Sequence, residues 1–241
     1  MTAIFLRELK AYFITPLGYV FIGVYLIFSG AFFYMFTVAN PTAAPGMGAA
    51  DFAPMFSLMF FVLMFTIPLL TMRLLTEEKR NKTDQLLLTS PVSLLGLVTA
   101  KFAAAYSIFL LSTAIMPIYG LVLSSFTDVS WRTVIGNMVG LIMLGAVYIA
   151  AGLLVSSFTE NQMIAAIISI FVNIGFLFSS VAAPYVGVAF LSDVLKSLSL
   201  LERYDRFTLG IFELKNALFF ISMTVVFLFL TIRILERRRW L

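Results

Sequence analysis

The sequence predicts an all-α polytopic membrane protein: six transmembrane helices, an N-terminal interfacial amphipathic helix, and a short outer amphipathic helix before the last span. Three observations carry this. Of 241 residues, 61% are hydrophobic and only 12% charged, about half the charged share of a soluble domain. The apolar residues gather in six stretches, each on the order of the 20 residues that cross a hydrocarbon core. Breaker-rich or charged segments separate them. A water-soluble domain of this composition would expose large apolar patches, whereas a bundle in lipid has no such difficulty.

The spans follow in order as one membrane domain, residues 1–241, with no internal repeat and no linker long enough to part soluble domains. From Ala11 to Ala50 there is no charged side chain, and residues 17–39 form the first span. It is longer than a signal-peptide core and is read as retained. Asn40 to Gly48, with Pro41, Pro45 and Gly46, is a loop. Residues 52–72 are the second span, with Pro54 near its start and Pro68 near its end. A polar stretch, residues 73–93, precedes the third span at 102–126, which carries Pro117. The fourth span is 134–158, and the fifth is 163–189, interrupted by Pro184. Residues 216–232 are the sixth. Pro68 and Pro117 read as hinges or as static kinks.

Lysine and arginine placement sets the orientation. Arg7 and Lys10 precede the first span; Arg73, Lys79, Arg80, Lys82 and Lys101 lie between the second and third; Arg233, Arg237, Arg238 and Arg239 follow the last. Only Arg132, Lys196, Arg203, Arg206 and Lys215 fall on the other side. Both termini are therefore expected in the cytoplasm. In the outer stretch, Val194, Leu195, Leu198, Leu201 and Tyr204 recur at helical spacing. They predict one amphipathic helix over 192–207, capped by Ser192 or Asp193. It would close a path, meet an outer partner, or pack on the bundle.

Two further segments are not spans. In Ile4 to Phe13, one helical face holds Ile4, Phe5, Leu9, Tyr12 and Phe13, while Arg7 and Lys10 point away. This describes a helix over 3–14 lying in the membrane interface, with Pro16 at the bend, or a plain cationic anchor. The loop 73–93 combines a charge run with a short apolar turn, Gln85–Leu88, begun by Thr83-Asp84 and ended by Pro91. It reads as a docking stalk for a soluble partner or as a solvated loop.

Several chemistries are excluded or disfavoured. With no Cys and no His, thiol catalysis and histidine triads are impossible, and zinc, haem and Fe–S ligation are not expected. There is no phosphate-binding loop of the G-x-x-x-x-G-K-[ST] type, so the chain is not read as an enzyme. Charged residues fall at or beyond the span ends, against an ion-coupled carrier. Gly136, Gly140, Gly145 and Gly152 allow close helix approach, within one chain or between two. Asn137 and Asn173 are polar residues for a transport path or for packing.

One run is more specific: Pro68 to Arg73, Glu77-Glu78-Lys79-Arg80, Thr83, Leu86 to Pro91, and Gly96 to Lys101-Phe102. It resembles the ABC-2 class of ABC transporter permeases, nearest the gliding-motility-associated permease subfamily. Arg7-Glu8-Leu9 with Tyr12-Phe13 and Pro16 is similar to that family's opening, and Ser156-Ser157-Phe158 with Gln162 and Ala165 to its junction of spans four and five. One departure is Lys82, where the family often has glycine before the threonine. The resemblance implies a permease subunit, an exporter, coupled to a separate ATP-binding subunit that holds ATP and Mg in two copies. It implies that the coupling interface comprises Arg7, Glu8, Glu77, Glu78, Lys79, Arg80, Thr83, Asp84, Leu86 and Leu87. It further implies a second permease chain, identical or related, a membrane partner with a large extracytoplasmic domain, no nucleic acid, and a bacterial cytoplasmic membrane. A non-transporting scaffold, a secondary carrier or channel, and an intramembrane enzyme are the competing classes.

Overall fold

The computed structural model describes residues 2–39, 52–82, 93–126, 128–185 and 189–239. The described elements are helical, with a 3-10 turn at Ala183–Tyr185: α1 (Thr2–Ile14), α2 (Pro16–Phe33, continued by a π-helical turn Tyr34–Val38), α3 (Ala53–Thr71) and α4 (Thr76–Arg80). After them come α5 (Leu94–Thr113), α6 (Met116–Ser124), α7 (Trp131–Ser156), α8 (Gln162–Ala182), α9 (Ala189–Leu198), α10 (Leu200–Thr208) and α11 (Leu214–Arg239). Among the described residues, six helical stretches are long and apolar enough to cross a membrane: α2, α3–α4, α5–α6, α7, α8 and α11. This is an all-α polytopic membrane fold.

The bundle is arranged around α7. Its most apolar window is 67% buried, against 17% for α11. α7 packs on α3, α5, α8, α10 and α11. Glycines make those approaches close. A Cβ at Gly145 would lie 2.2 Å from Phe109 Cε1, and one at Gly152 would lie 2.1 Å from Thr71 Oγ1. The glycine row of α7 therefore serves packing inside the chain. α2, α8 and α11 lie at the rim, and their Ile27, Phe28, Ile167, Phe171, Val225 and Phe229 are exposed, an apolar surface suited to lipid.

Some boundaries differ from the hydropathy reading, each for a local reason. α5 begins at Leu94, eight residues before the span expected from 102. Ser93 caps it, accepting from Gly96 N at 3.2 Å, and Lys101 continues the helix because its charge is paired. The stretch then breaks at Ala114–Ile115, just before Pro117, into α5 and α6. α3 runs through Pro68 without interruption.

The outer amphipathic segment is two helices, not one. Ser199 interrupts it and accepts from Glu202 N at 3.2 Å; Ser199-Leu-Leu-Glu202 is a capping-box sequence. Ser192 instead donates to Ala183 O at 2.9 Å. α10 is driven into the bundle: Leu200, Tyr204 and Phe207 are fully buried. Tyr204 Oη donates to Phe56 O at 2.8 Å. A Cβ at Gly140 would lie 2.7 Å from Phe207 Cβ, so this glycine is what admits α10.

Candidate functional site: a charged clamp at one end of the bundle

Three stretches remote in sequence meet at the end of the bundle opposite α10. α1 lies across it, and its bend into α2 is fixed from two sides. Tyr12 Oη donates to Leu70 O at 2.8 Å. Arg73 Nη1 donates to Thr15 Oγ1 at 2.7 Å, while Arg73 also pairs with Glu77 at 2.8 Å. A Cβ at Gly18 would lie 2.5 Å from Tyr12 O, so the bend requires glycine there. Tyr12 is buried, which raises its phenol above the ordinary value and keeps it a neutral donor.

At the centre, Lys101 of α5 places its ammonium between two carboxylates. Nζ is 3.1 Å from Glu8 Oε1 and 2.8 Å from Glu78 Oε1, and it donates to Leu74 O at 2.7 Å. Arg7 closes the ring, its Nη2 lying 2.8 Å from Glu8 Oε1 and 3.0 Å from Glu78 Oε1. Side-chain exposure is 1% for Lys101, 15% for Glu8 and 14% for Glu78, against 55% for Arg7. A buried cation facing two carboxylates is tolerable only because each charge has its counterpart and hydrogen bonds besides.

The electrostatics of Glu8 follow. Burial alone would raise its carboxyl, but the charge of Lys101 and the hydrogen bonds and charge of Arg7 outweigh that and hold it below the ordinary value of 4.5. The sign is that of a depressed acid. The stability Glu8 contributes is complete above about pH 4.5 and is lost as pH falls through its lower folded value. Thermal unfolding in detergent checks this: the Tm gap between wild type and Glu8→Gln is constant at neutral pH and closes below pH 4.5. Arg7 is raised, chiefly by its bond to Glu8.

A second buried lysine lies one residue along α4. Lys79 Nζ donates to Ser157 O, the residue that ends α7. A cation at a helix C-terminus meets the negative end of its dipole. α4 is thereby fastened to the turn between α7 and α8. Asn161 caps α8 in that turn, accepting from Met163 N at 2.9 Å, and Arg80 and Glu160 share a cleft beside it.

The expected residues are thus brought together and also sorted. Glu8, Glu78 and Lys79 point inward, into pairs within the chain. Arg7, Glu77 and Arg80 keep a face toward solvent. Thr83, Asp84, Leu86 and Leu87 lie outside the described residues. Lys101, Arg73, Thr15 and Ser157 also belong to the site. Lys101 had a signal in the sequence, a lone charge followed by an apolar helix, used there for orientation and for the resemblance but not placed in the coupling interface. Asn137 and Asn173 are buried far from the clamp. Asn137 Nδ2 donates to Thr133 O at 2.9 Å and Thr208 O at 3.2 Å, and Asn173 Nδ2 to Met64 O at 3.1 Å. Each ties two helices together.

Lys82 has φ +54°, the left-handed conformation that commonly closes a helix and that glycine adopts without cost. Its N–H donates to Lys79 O at 3.0 Å. Lysine therefore occupies a position shaped for glycine. Lys82→Gly is expected to melt at or above wild type, and Lys82→Val below it, since a β-branched residue strains most there.

A bundle of six apolar helices, braced by a polar clamp at one end, is the architecture of a multi-pass membrane protein. A family model for ABC-2 family transporter proteins matches residues 40–233, and the chain belongs to that family. It is a multi-pass membrane permease component of an ABC transporter, a class whose partner is an ABC ATP-binding protein. No curated protein matches the chain.

Proposed function

We propose that the chain is the permease of an ATP-driven exporter and that the clamp is where a separate ATP-binding subunit delivers its motion. The observation that carries this reading is the pairing of Lys101 with both Glu8 and Glu78. One ion cluster joins α1, α4 and α5, and Lys79 extends the connection to α7. Force applied to the exposed side of α1 and α4 would move these helices as a unit, since packed bundles shift between discrete arrangements rather than deforming. Arg7, Glu77 and Arg80 supply the contact surface, and Thr83, Asp84, Leu86 and Leu87 take part in it as the resemblance implies. Glu8, Glu78, Lys79 and Lys101 transmit.

In this reading both termini are cytoplasmic, as the lysine and arginine excess at the clamp end supports, and the membrane is a bacterial cytoplasmic one. Two ATP-binding subunits holding ATP and Mg serve two permease chains, identical or related, which enclose the path. A membrane protein with a large extracytoplasmic domain completes the complex, as the likeness to gliding-motility-associated permeases implies.

The test separates contact from transmission. The tagged chain is co-expressed with its neighbouring ATP-binding protein and purified in detergent, and both association and ATP hydrolysis are measured. Glu77→Lys/Arg80→Glu is expected to weaken association about tenfold or more, as charge reversal does at a complementary surface. Glu78→Gln should leave association intact while lowering the permease-dependent part of hydrolysis. If neither variant alters either quantity, the clamp is not the coupling site. If no ATP-binding protein associates with wild type, a scaffold becomes the better description.

A further inference from the structure

At the end opposite the clamp, α10 has a second face. With Tyr204 and Phe207 turned into the bundle, its other side borders a cleft of about 480 Å³ between the end of α9, α10 and the start of α11. The residues that line it are all charged or polar. Lys196, Arg203, Arg206 and Lys215 contribute cations, and Glu202, Asp205 and Glu213 contribute carboxylates. Among the described residues no ion pair within 4.0 Å joins any two of these seven.

The floor is built rather than incidental. Arg203 Nη1 donates to Asn216 Oδ1 at 3.1 Å and Nη2 to Ser197 O at 3.0 Å. Its guanidinium lies 4.0 Å over the Phe219 ring, and its buried Nε has no hydrogen-bond partner. Asn216 is buried and donates to Glu213 Oε2 at 3.0 Å. Immediately beside this charged hollow, Leu209, Phe212, Leu214 and Leu218 are exposed and apolar. Charged and apolar exposed surface side by side suits a boundary between water and hydrocarbon.

A ligand of one sign would meet opposed walls: a bare anion faces three carboxylates, a bare cation four basic groups. A ligand carrying both signs satisfies both, and an apolar tail finds Leu214 and Leu218 below. We propose that this cleft holds a zwitterionic phospholipid headgroup bearing a phosphate and a primary ammonium. Arg206 and Lys215 take the phosphate, for which cations at an interface are suited. Glu202 and Asp205 accept from the ammonium, and the acyl chains lie along the first turns of α11. Asp205 is exposed at its outer edge, and its partial desolvation together with the neighbouring charge of Glu202 raises its carboxyl. This site is independent of the coupling reading, since it requires only that the chain spans a bilayer.

The experiment uses the purified chain in dodecyl maltoside and follows Tm during titration with dioctanoyl phosphatidylethanolamine, phosphatidylcholine or phosphatidylglycerol, and with soluble glycerophosphoethanolamine. Phosphatidylethanolamine is expected to stabilise at the lowest concentration. Arg206→Ala/Lys215→Ala and Glu202→Gln/Asp205→Asn should each raise its half-saturation about tenfold while leaving the lipid-free Tm unchanged, because these side chains are exposed. Phosphatidylcholine, whose quaternary ammonium donates no hydrogen bond, should be weaker. Equal response to all three lipids, or indifference of phosphatidylethanolamine binding to both double variants, overturns the proposal. Glycerophosphoethanolamine acting as strongly as the lipid would overturn the lipid assignment in favour of a soluble zwitterion. Loss of a bound protein partner in the variants, with lipid response intact, would overturn it in favour of a protein interface.

Discussion

Lys101→Met is expected to destabilise the protein by about 3–5 kcal/mol, the cost of removing one partner from a buried charge pair. Methionine fills much the same volume, so packing is largely kept and the loss is electrostatic. Glu8 and Glu78 would face each other with only the half-exposed Arg7 between them, and Leu74 O would lose its donor. For a chain of this size the Tm should fall on the order of 10 °C. The companion variant decides the cause. Glu8→Gln/Lys101→Met removes a carboxylate along with the ammonium and should recover much of the loss, because no surplus buried charge remains. A Tm equal to wild type in Lys101→Met would mean that the cluster contributes no more than an exposed surface pair.

The second large effect is steric. Gly152→Val is expected to cost at least ~3 kcal/mol, at or beyond the upper end for overpacked cores. Its Cβ would sit 2.1 Å from Thr71 Oγ1 and 2.8 Å from Thr71 Cβ. Thr71 cannot turn away readily, since its hydroxyl donates to Ile67 O at 3.1 Å and its side chain is fully buried. α3 and α7 would have to part at the clamp end, disturbing the clamp as well as the fold. Gly23→Ala and Gly175→Ala serve as controls, because nothing lies within 4 Å of a Cβ at either position. Both should be neutral or stabilising by about 0.5–1 kcal/mol, the helix preference of alanine over glycine. Equal losses at all three glycines would show that Gly152 matters through flexibility and not through contact. Yield and Tm of each variant, purified in parallel, make the comparison.

Much of this architecture was legible in the sequence, since hydropathy over 20 residues is a local property. The six spans and the helical character of α1 follow from runs and periodicity alone. The break at Ser199 was legible too, through the serine–glutamate spacing of a capping box, but helical periodicity across residues 192–207 hides it. What no local pattern contains is the pairing of Glu8 with Lys101 or of Lys79 with Ser157. Those contacts span 93 and 78 residues. A charge run that reads as solvated is in fact sorted residue by residue, Glu77 and Arg80 toward water and Glu78 and Lys79 inward. That sorting depends on where α1, α5 and α7 end in space. The glycine-like position of Lys82 is intermediate: resemblance marked the residue, and only the backbone conformation explains why.

The plugging of α10 between α3 and α7 bears on how a cell tolerates this protein at rest. With Leu200, Tyr204 and Phe207 buried at the end opposite the clamp, a lone copy is expected to offer ions and protons no wet route between α3 and α7. The membrane can then keep its voltage while such chains stand idle or await assembly. On the proposed function, cargo would then travel along the flank of the bundle, on the least enclosed helices, and leakage would become a matter of how two flanks meet. Liposomes containing the isolated chain should hold a potential as well as empty ones.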